Sequence, residues 1–248
     1  MLVEFASSCV VDPEGLQANL EKALARGLPQ CVEEPARTDK LAVVGGAPSV
    51  RHHLDELRCW PGEIWAINGA YDYLLGEDIV PHGFIGVDPL PGLAEYVQNP
   101  RKETTFYLSG LLDPSVFDAL KGENVKVWFP EQDAVKWPAG LWLVGGGTTA
   151  VTRVPYLARM QGFRDMTIYG ADSSFEDDRY CYGYGKYKED SKAEILSVQV
   201  HGHGKKFKTE LGLMKQVAQL GVIDMYFDGQ ISFKCGGLLD AYLKSDVL

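Results

Sequence analysis

The stretch LAVVGGAPSVRHHLDEL, residues 41–57, decides the fold. Four apolar residues run into Gly45 and Gly46. Pro48 and Ser49 then open a segment whose apolar positions, Val50, Leu54 and Leu57, recur at helical spacing. A short strand turning on glycines into a helix is the first half of a βαβ unit. Glycine lets the backbone turn sharply and approach a ligand with no Cβ in the way. Ser49 suits a helix cap, and the N–H groups at a helix start attract an anion. The full GxGxxG spacing and the lysine of a P-loop are both missing, so the same residues also serve a plain strand-to-helix turn.

Working outward, the arrangement recurs. Leu141, Trp142, Leu143 and Val144 feed Gly145, Gly146 and Gly147, after which Thr148 and Thr149 start a helix bearing Val151, Val154, Leu157 and Ala158. Successive N–H groups in such a turn form an anion-binding nest, to which threonine hydroxyls add donors. Between and around the two turns, β-rich runs at 41–44, 64–67, 83–87, 105–108, 125–129 and 166–169 alternate with helix-like stretches at 49–58, 69–75, 91–97, 114–120 and 148–161. That rhythm predicts an α/β, Rossmann-like fold, a mostly parallel sheet with helices on both faces. Residues 173–185, SSFEDDRYCYGYG, break the rhythm and read as an ordered loop or lid. A strand at 195–200, the tetrad His201, Gly202, His203 and Gly204, a helix from about 209 to 220, a strand at 223–227 and a turn at 228–231 follow. Residues 1–40 read as an N-terminal helical appendage on a Rossmann-like nucleotide-binding domain of residues 41–248. Asp12, Pro13 and Glu14 start its helix, and Leu16, Leu20 and Leu24 give one apolar stripe. It either packs on the main domain or reaches another subunit.

Composition narrows the function classes. A net charge of −10 with no basic stripe argues against a nucleic-acid backbone as partner, while leaving room for a single nucleotide. The five cysteines, Cys9, Cys31, Cys59, Cys181 and Cys235, are odd in number and contain no CxxC pair, which suits reduced thiols. No apolar run approaches the ~20 residues of a membrane span. The expectation is a cytoplasmic enzyme with a nucleotide and a small-molecule acceptor as partners.

Ligands of parallel sheets bind beyond the carboxyl ends of the strands, so strand-end polar residues come next. Asn68 follows the run 64–67 and offers an amide to a base or ribose edge. Asp88 and Asp172 end two other runs, and together they suit Mg²⁺ held against a phosphate. His201 and His203 stand two apart, so on an extended chain both rings face one way, and a histidine suits general acid/base work.

The order strand-GGAPS-helix, INGAY, GVDP, GGGTTAVTRVPYLARMQGFRDMTIYGADSSF, then DGQISFKCGGLL, resembles the 6-hydroxymethylpterin diphosphokinase MptE-like family over about residues 41–240. That family is similar in turn to motility accessory factor glycosyltransferases and bacterial sialyltransferases. The resemblance implies a nucleotide lodged between the two glycine turns. By position it assigns Gly45, Pro48 and Ser49 to the first turn, with Gly46 beside them as a further candidate for nucleotide contact, and Gly146, Gly147 and Thr148 to the second. It also assigns Asn68 to nucleotide contact, Asp172 to a strand end at the site, and His203 or His201 to the role of base. Ala47 stands where the family pattern has glycine. The implied activity is diphosphate transfer from ATP to a pterin-like hydroxymethyl acceptor. The alternatives are glycosyl transfer from a nucleotide sugar and a non-catalytic nucleotide-binding module.

Overall fold

The structure is a computed structural model and describes residues 11–177 and 194–245. Helix α1 (Pro13–Ala25) starts where Asp12 Oδ1 accepts the Gly15 N–H at 2.7 Å and Pro13 sits at the first helical position. Leu16 and Leu20 of its apolar stripe are fully buried, worth about 1.5–3 kcal/mol each. They join the same core as the central strands. The segment after α1 is stitched to the body. Cys31 N–H donates to the Val127 carbonyl at 2.7 Å, and Arg37 N–H to the Gly162 carbonyl at 2.7 Å. Burial pushes the Cys31 thiol up to about 12, which removes it as a nucleophile.

Strands β1 (Lys40–Val44), β2 (Glu63–Ile67), β3 (Gly83–Gly86), β4 (Thr105–Ser109), β5 (Val125–Pro130), β6 (Leu143–Val144) and β7 (Asp165–Tyr169) fall where the apolar runs lie. Each is apolar on both sides because both faces of the sheet are covered. Ala42, Val44, Ala66, Phe84 and Phe106 face one core, while Leu41, Val43, Trp65, Ile67 and Ile85 face the other. Helices α2 (Leu54–Arg58), α3 (Ala70–Gly76) and α4 (Pro114–Ala119) follow β1, β2 and β4. Short 3₁₀ turns occupy Pro48–His53 and Pro91–Val97, where the sequence suggested α-helix. Helix α5 (Ala150–Met160) begins at Thr149 and leads into β7. A separate antiparallel hairpin, β8 (Leu196–Gln199) and β9 (Lys206–Thr209), precedes α6 (Leu211–Phe227), β10 (Ile231–Lys234) and α7 (Gly237–Leu243).

The predicted strand at 223–227 is the last part of α6. Its β-branched and aromatic residues suggest a strand, and apolar Val222, Met225 and Tyr226 on the exposed side hide the helical period there. Leu213, Val217, Leu220, Ile223 and Phe227 are buried, whereas Val222, Met225 and Tyr226 are 65%, 70% and 66% exposed. Strand β10 and helix α7 lie beyond the elements the sequence predicts. No described helix is long and apolar enough to cross a membrane.

The eight strands of the main sheet run in the order β10-β7-β1-β2-β3-β4-β5-β6, all parallel. The chain winds from β1 outward to β6, then returns to the other side of β1 as β7. The loops after β1 and β7 therefore leave in opposite directions and open a crevice between them.

Candidate functional site

That crevice is a cleft of about 260 Å³ between the carboxyl ends of β1, β2 and β7, near the lower bound for small-molecule pockets. Two turns meet at its floor. Gly45 N–H donates to the Tyr169 carbonyl at 2.9 Å and Ala47 N–H to the Gly170 carbonyl at 3.0 Å. A Cβ on Gly45 would stand 2.4 Å from the Gly170 oxygen, so glycine is required there for the crossing itself. Gly46 and Ala47 line the cleft beside it. Ile67, Leu93, Val151 and Leu213 give it apolar walls, and Asp88, Glu210 and Gln216 its polar rim.

Asn68 is the most telling residue in the cleft. It follows β2 in the left-handed conformation, at φ 48°, which side chains other than glycine adopt at a cost. Its side-chain oxygen is buried and has no hydrogen-bond partner among the described residues. An orphaned buried acceptor costs about 1–3 kcal/mol. Strain and an unmet acceptor thus coincide on one residue at the mouth of the switch-point crevice.

Asp172, which follows β7 at the cleft, is tied into the fold. It is buried at 5% exposure. One carboxylate oxygen accepts the Ser49 N–H at 2.9 Å, and the other accepts the Gly236 N–H at 2.9 Å and the Ser49 hydroxyl. Three of its roughly four acceptor positions are filled by protein donors. The aspartate thus braces the turn after β1 against the start of α7 while also lining the cleft. Ser49, through the same bonds, is a brace and not a free phosphate donor. Asp88 lines the cleft, with Oδ1 accepting the Leu90 N–H at 3.2 Å. No group of three or more potential metal ligands occurs among the described residues.

The second glycine turn is also redirected. Thr148 donates both its N–H (3.0 Å) and its hydroxyl (3.1 Å) to Gln219 Oε1 on α6. Gly146, at φ 117°, is pressed against the Arg153 backbone, and Gly147 lies under Gln219 and Thr152. Gly146, Gly147 and Thr148 do not line the cleft. Thr149 does, held by a reciprocal cap in which its N–H donates to Thr152 Oγ1 at 3.1 Å.

His201 and His203 sit in the exposed turn between β8 and β9 and do not line this cleft. His203 Nδ1 accepts the Lys205 N–H at 3.2 Å. The parity argument fails because 201–204 is a turn, not extended chain. The predicted lid at 173–185 is described only as far as Asp177; residues 178–185 lie outside the described residues. Ser173 is a site residue the sequence did not single out. It has φ 55°, lines the cleft, accepts from Gln216 Nε2 at 2.9 Å, and its carbonyl accepts the Thr209 hydroxyl at 2.8 Å. The available signal was Gln216, a polar residue on the buried side of α6.

A family model described as 6-hydroxymethylpterin diphosphokinase MptE-like matches residues 15–178. Among solved structures, the chain is similar to the MAf glycosyltransferase from Magnetospirillum magneticum AMB-1. The TM-score is 0.70 at 15% identity, over 93% of this chain and 38% of that one. It spans, therefore, about two fifths of that neighbour. A mammalian sialyltransferase is similar at a TM-score of 0.41 and 11% identity, over 89% of this chain and 79% of that one. No curated protein matches the chain.

Proposed function

Because the chain belongs to the 6-hydroxymethylpterin diphosphokinase MptE-like family, we propose that it is a nucleotide-dependent transferase whose nucleoside lies in the cleft between β1, β2 and β7. The observation that carries this reading is the orphaned, strained Asn68 at the switch point. An exocyclic amine or ribose hydroxyl would supply the donor that its oxygen lacks. Leu93 and Val151 offer apolar faces to a base, and Asp88 and Glu210 offer acceptors to ribose hydroxyls.

The family supports diphosphate transfer as the first reaction to test. An acceptor hydroxyl oxygen bonds to the β-phosphorus of ATP as the bond from that phosphorus to the α,β-bridging oxygen breaks. AMP leaves with the bridging oxygen, and the hydroxyl proton passes to solvent. Mg²⁺ entering with the phosphates would be held by Asp88 and the remaining acceptor position of Asp172. There it would neutralise charge on the phosphate oxygens. Water would carry the hydroxyl proton onward to His203 or His201, the base in this reading.

Glycosyl transfer from a nucleotide sugar is the second reading, favoured by a specific observation. Asp172 already accepts bonds from Ser49 and Gly236, and glycosyl transfer asks less of a second carboxylate on a metal than ATP chemistry does. The extent of the likeness to the MAf glycosyltransferase fits the same reading.

Thermal shift with ATP, GTP, CMP and UDP, each with and without Mg²⁺, separates the two. A ligand at a hundredfold its Kd stabilises by about 2.7 kcal/mol, or roughly 5 °C or more for a domain of this size. Magnesium-dependent stabilisation by ATP supports diphosphate transfer, and metal-independent stabilisation by CMP or UDP supports glycosyl transfer. No shift with any of the four would refute both.

A further inference from the structure

A second cleft, of about 470 Å³, adjoins the first across Asp172, which lines both. Its walls differ sharply in charge from those of the nucleoside cleft. The residues lining the first cleft include Asp88, Asp172 and Glu210 and no lysine, arginine or histidine. The second is lined by Lys205, Lys206, Lys208 and His52, with Glu176 and Asp177. Of the acids there, Asp172 is engaged by Ser49 and Gly236, and Glu176 pairs with Arg51 at 2.9 Å. The run KKFK at 205–208 is a dense cationic stretch in a chain of net charge −10.

The hairpin holds these lysines in place. Alternation along β9 turns Phe207 and Thr209 into the core and leaves Lys206 and Lys208 on the opposite face. Phe175 N–H donates to the Lys208 carbonyl at 2.8 Å, and the Thr209 hydroxyl donates to the Ser173 carbonyl. The Lys205 ammonium lies 5.4 Å from the Phe207 ring centre. Ser173, which receives the hairpin, is part of the nucleoside cleft, so one rigid strip walls both cavities.

We propose that the lysine cleft is the anion subsite of the enzyme, taking a phosphate- or carboxylate-type group through Lys205 and Lys206. The word subsite rests on the nucleotide reading; the anion binding does not. Two sources fit the chemistry, the phosphate tail of a donor nucleotide whose nucleoside sits by Asn68, and an anionic group of the acceptor itself.

The test is titration calorimetry with inorganic pyrophosphate, adenosine and ATP on the whole chain, its Lys205→Ala/Lys206→Ala variant, and Asn68→Ala. Both lysines are exposed, so the double variant should fold, which its melting temperature checks. Pyrophosphate should bind the native protein and Asn68→Ala alike, and weaken roughly tenfold or more when the lysines are removed. Raising the salt concentration should weaken it further. Loss of the ATP-over-adenosine preference in the double variant assigns the subsite to the donor's tail. An unchanged preference alongside lost pyrophosphate binding assigns it to the acceptor. Absence of pyrophosphate binding by the native protein, or binding indifferent to the lysines, would overturn the proposal. Pyrophosphate binding without any nucleotide binding would keep the anion site and overturn the nucleotide reading instead.

Discussion

Asn68 combines two costs that packing alone does not explain, a left-handed backbone and a buried oxygen without a donor. Replacing it by glycine removes both. Asn68→Gly should therefore melt within about 1 kcal/mol of the native protein, since relief of strain offsets the added freedom of the unfolded chain. A large loss of stability would mean the side chain is structural after all. Asp172 predicts the opposite behaviour. Asp172→Ala strands the Ser49 and Gly236 N–H groups in a buried site, and should destabilise by roughly 3 kcal/mol in denaturant unfolding. If Asp172 were a catalytic group with spare bonding capacity, activity would fall while stability stayed level.

At the scale of elements, the site exists because the turns after β1 and β7 touch and diverge. The turn at 145–149 belongs to the joint between α5 and α6 through Gln219. Gln219→Ala should accordingly leave nucleotide affinity within about threefold, as loss of a single neutral bond outside the site would. A loss of tenfold or more would return that turn to the nucleotide. Another joint ties α2, β7 and β10. The Lys234 ammonium, with the Tyr169 hydroxyl donating at 3.0 Å, holds the Glu56 carboxyl below its ordinary range. A carboxyl with a lowered folded-state pKa adds stability above its unfolded pKa and loses it as pH falls through the folded one. Glu56→Gln should then lower the melting temperature at pH 7, with the gap closing below about pH 4. A gap that persists at low pH would mean the glutamate acts by packing rather than by charge.

Across the whole molecule, the cleft beside Asn68 is lined by acids and no lysine, while Lys205, Lys206 and Lys208 join the acids of the adjoining one, a polarity invisible in a net charge of −10. Much of the fold was legible in the sequence because buried parallel strands are short apolar runs bounded by glycine, proline and polar residues. Strands β1 to β5 and β7 declare themselves in this way. In the carboxyl-terminal part, β8 and the first turns of α6 were legible, while the end of α6 was not, because its β-branched and aromatic residues look like a strand. The position of Asn68 was readable as a strand end, and its missing partner was not, since burial is a tertiary fact. The partner of Thr148 in the glycine turn at 145–149 was hidden for the same reason. Its donors are plain in the sequence, while Gln219, which takes them, comes 71 residues later. The central claim is that a nucleotide completes Asn68 in the switch-point cleft. Its most direct test is calorimetric titration of the best-stabilising nucleotide from the thermal-shift panel onto native protein and Asn68→Gly. The account predicts that affinity falls tenfold or more while the variant stays folded; equal affinity in the two proteins would contradict it.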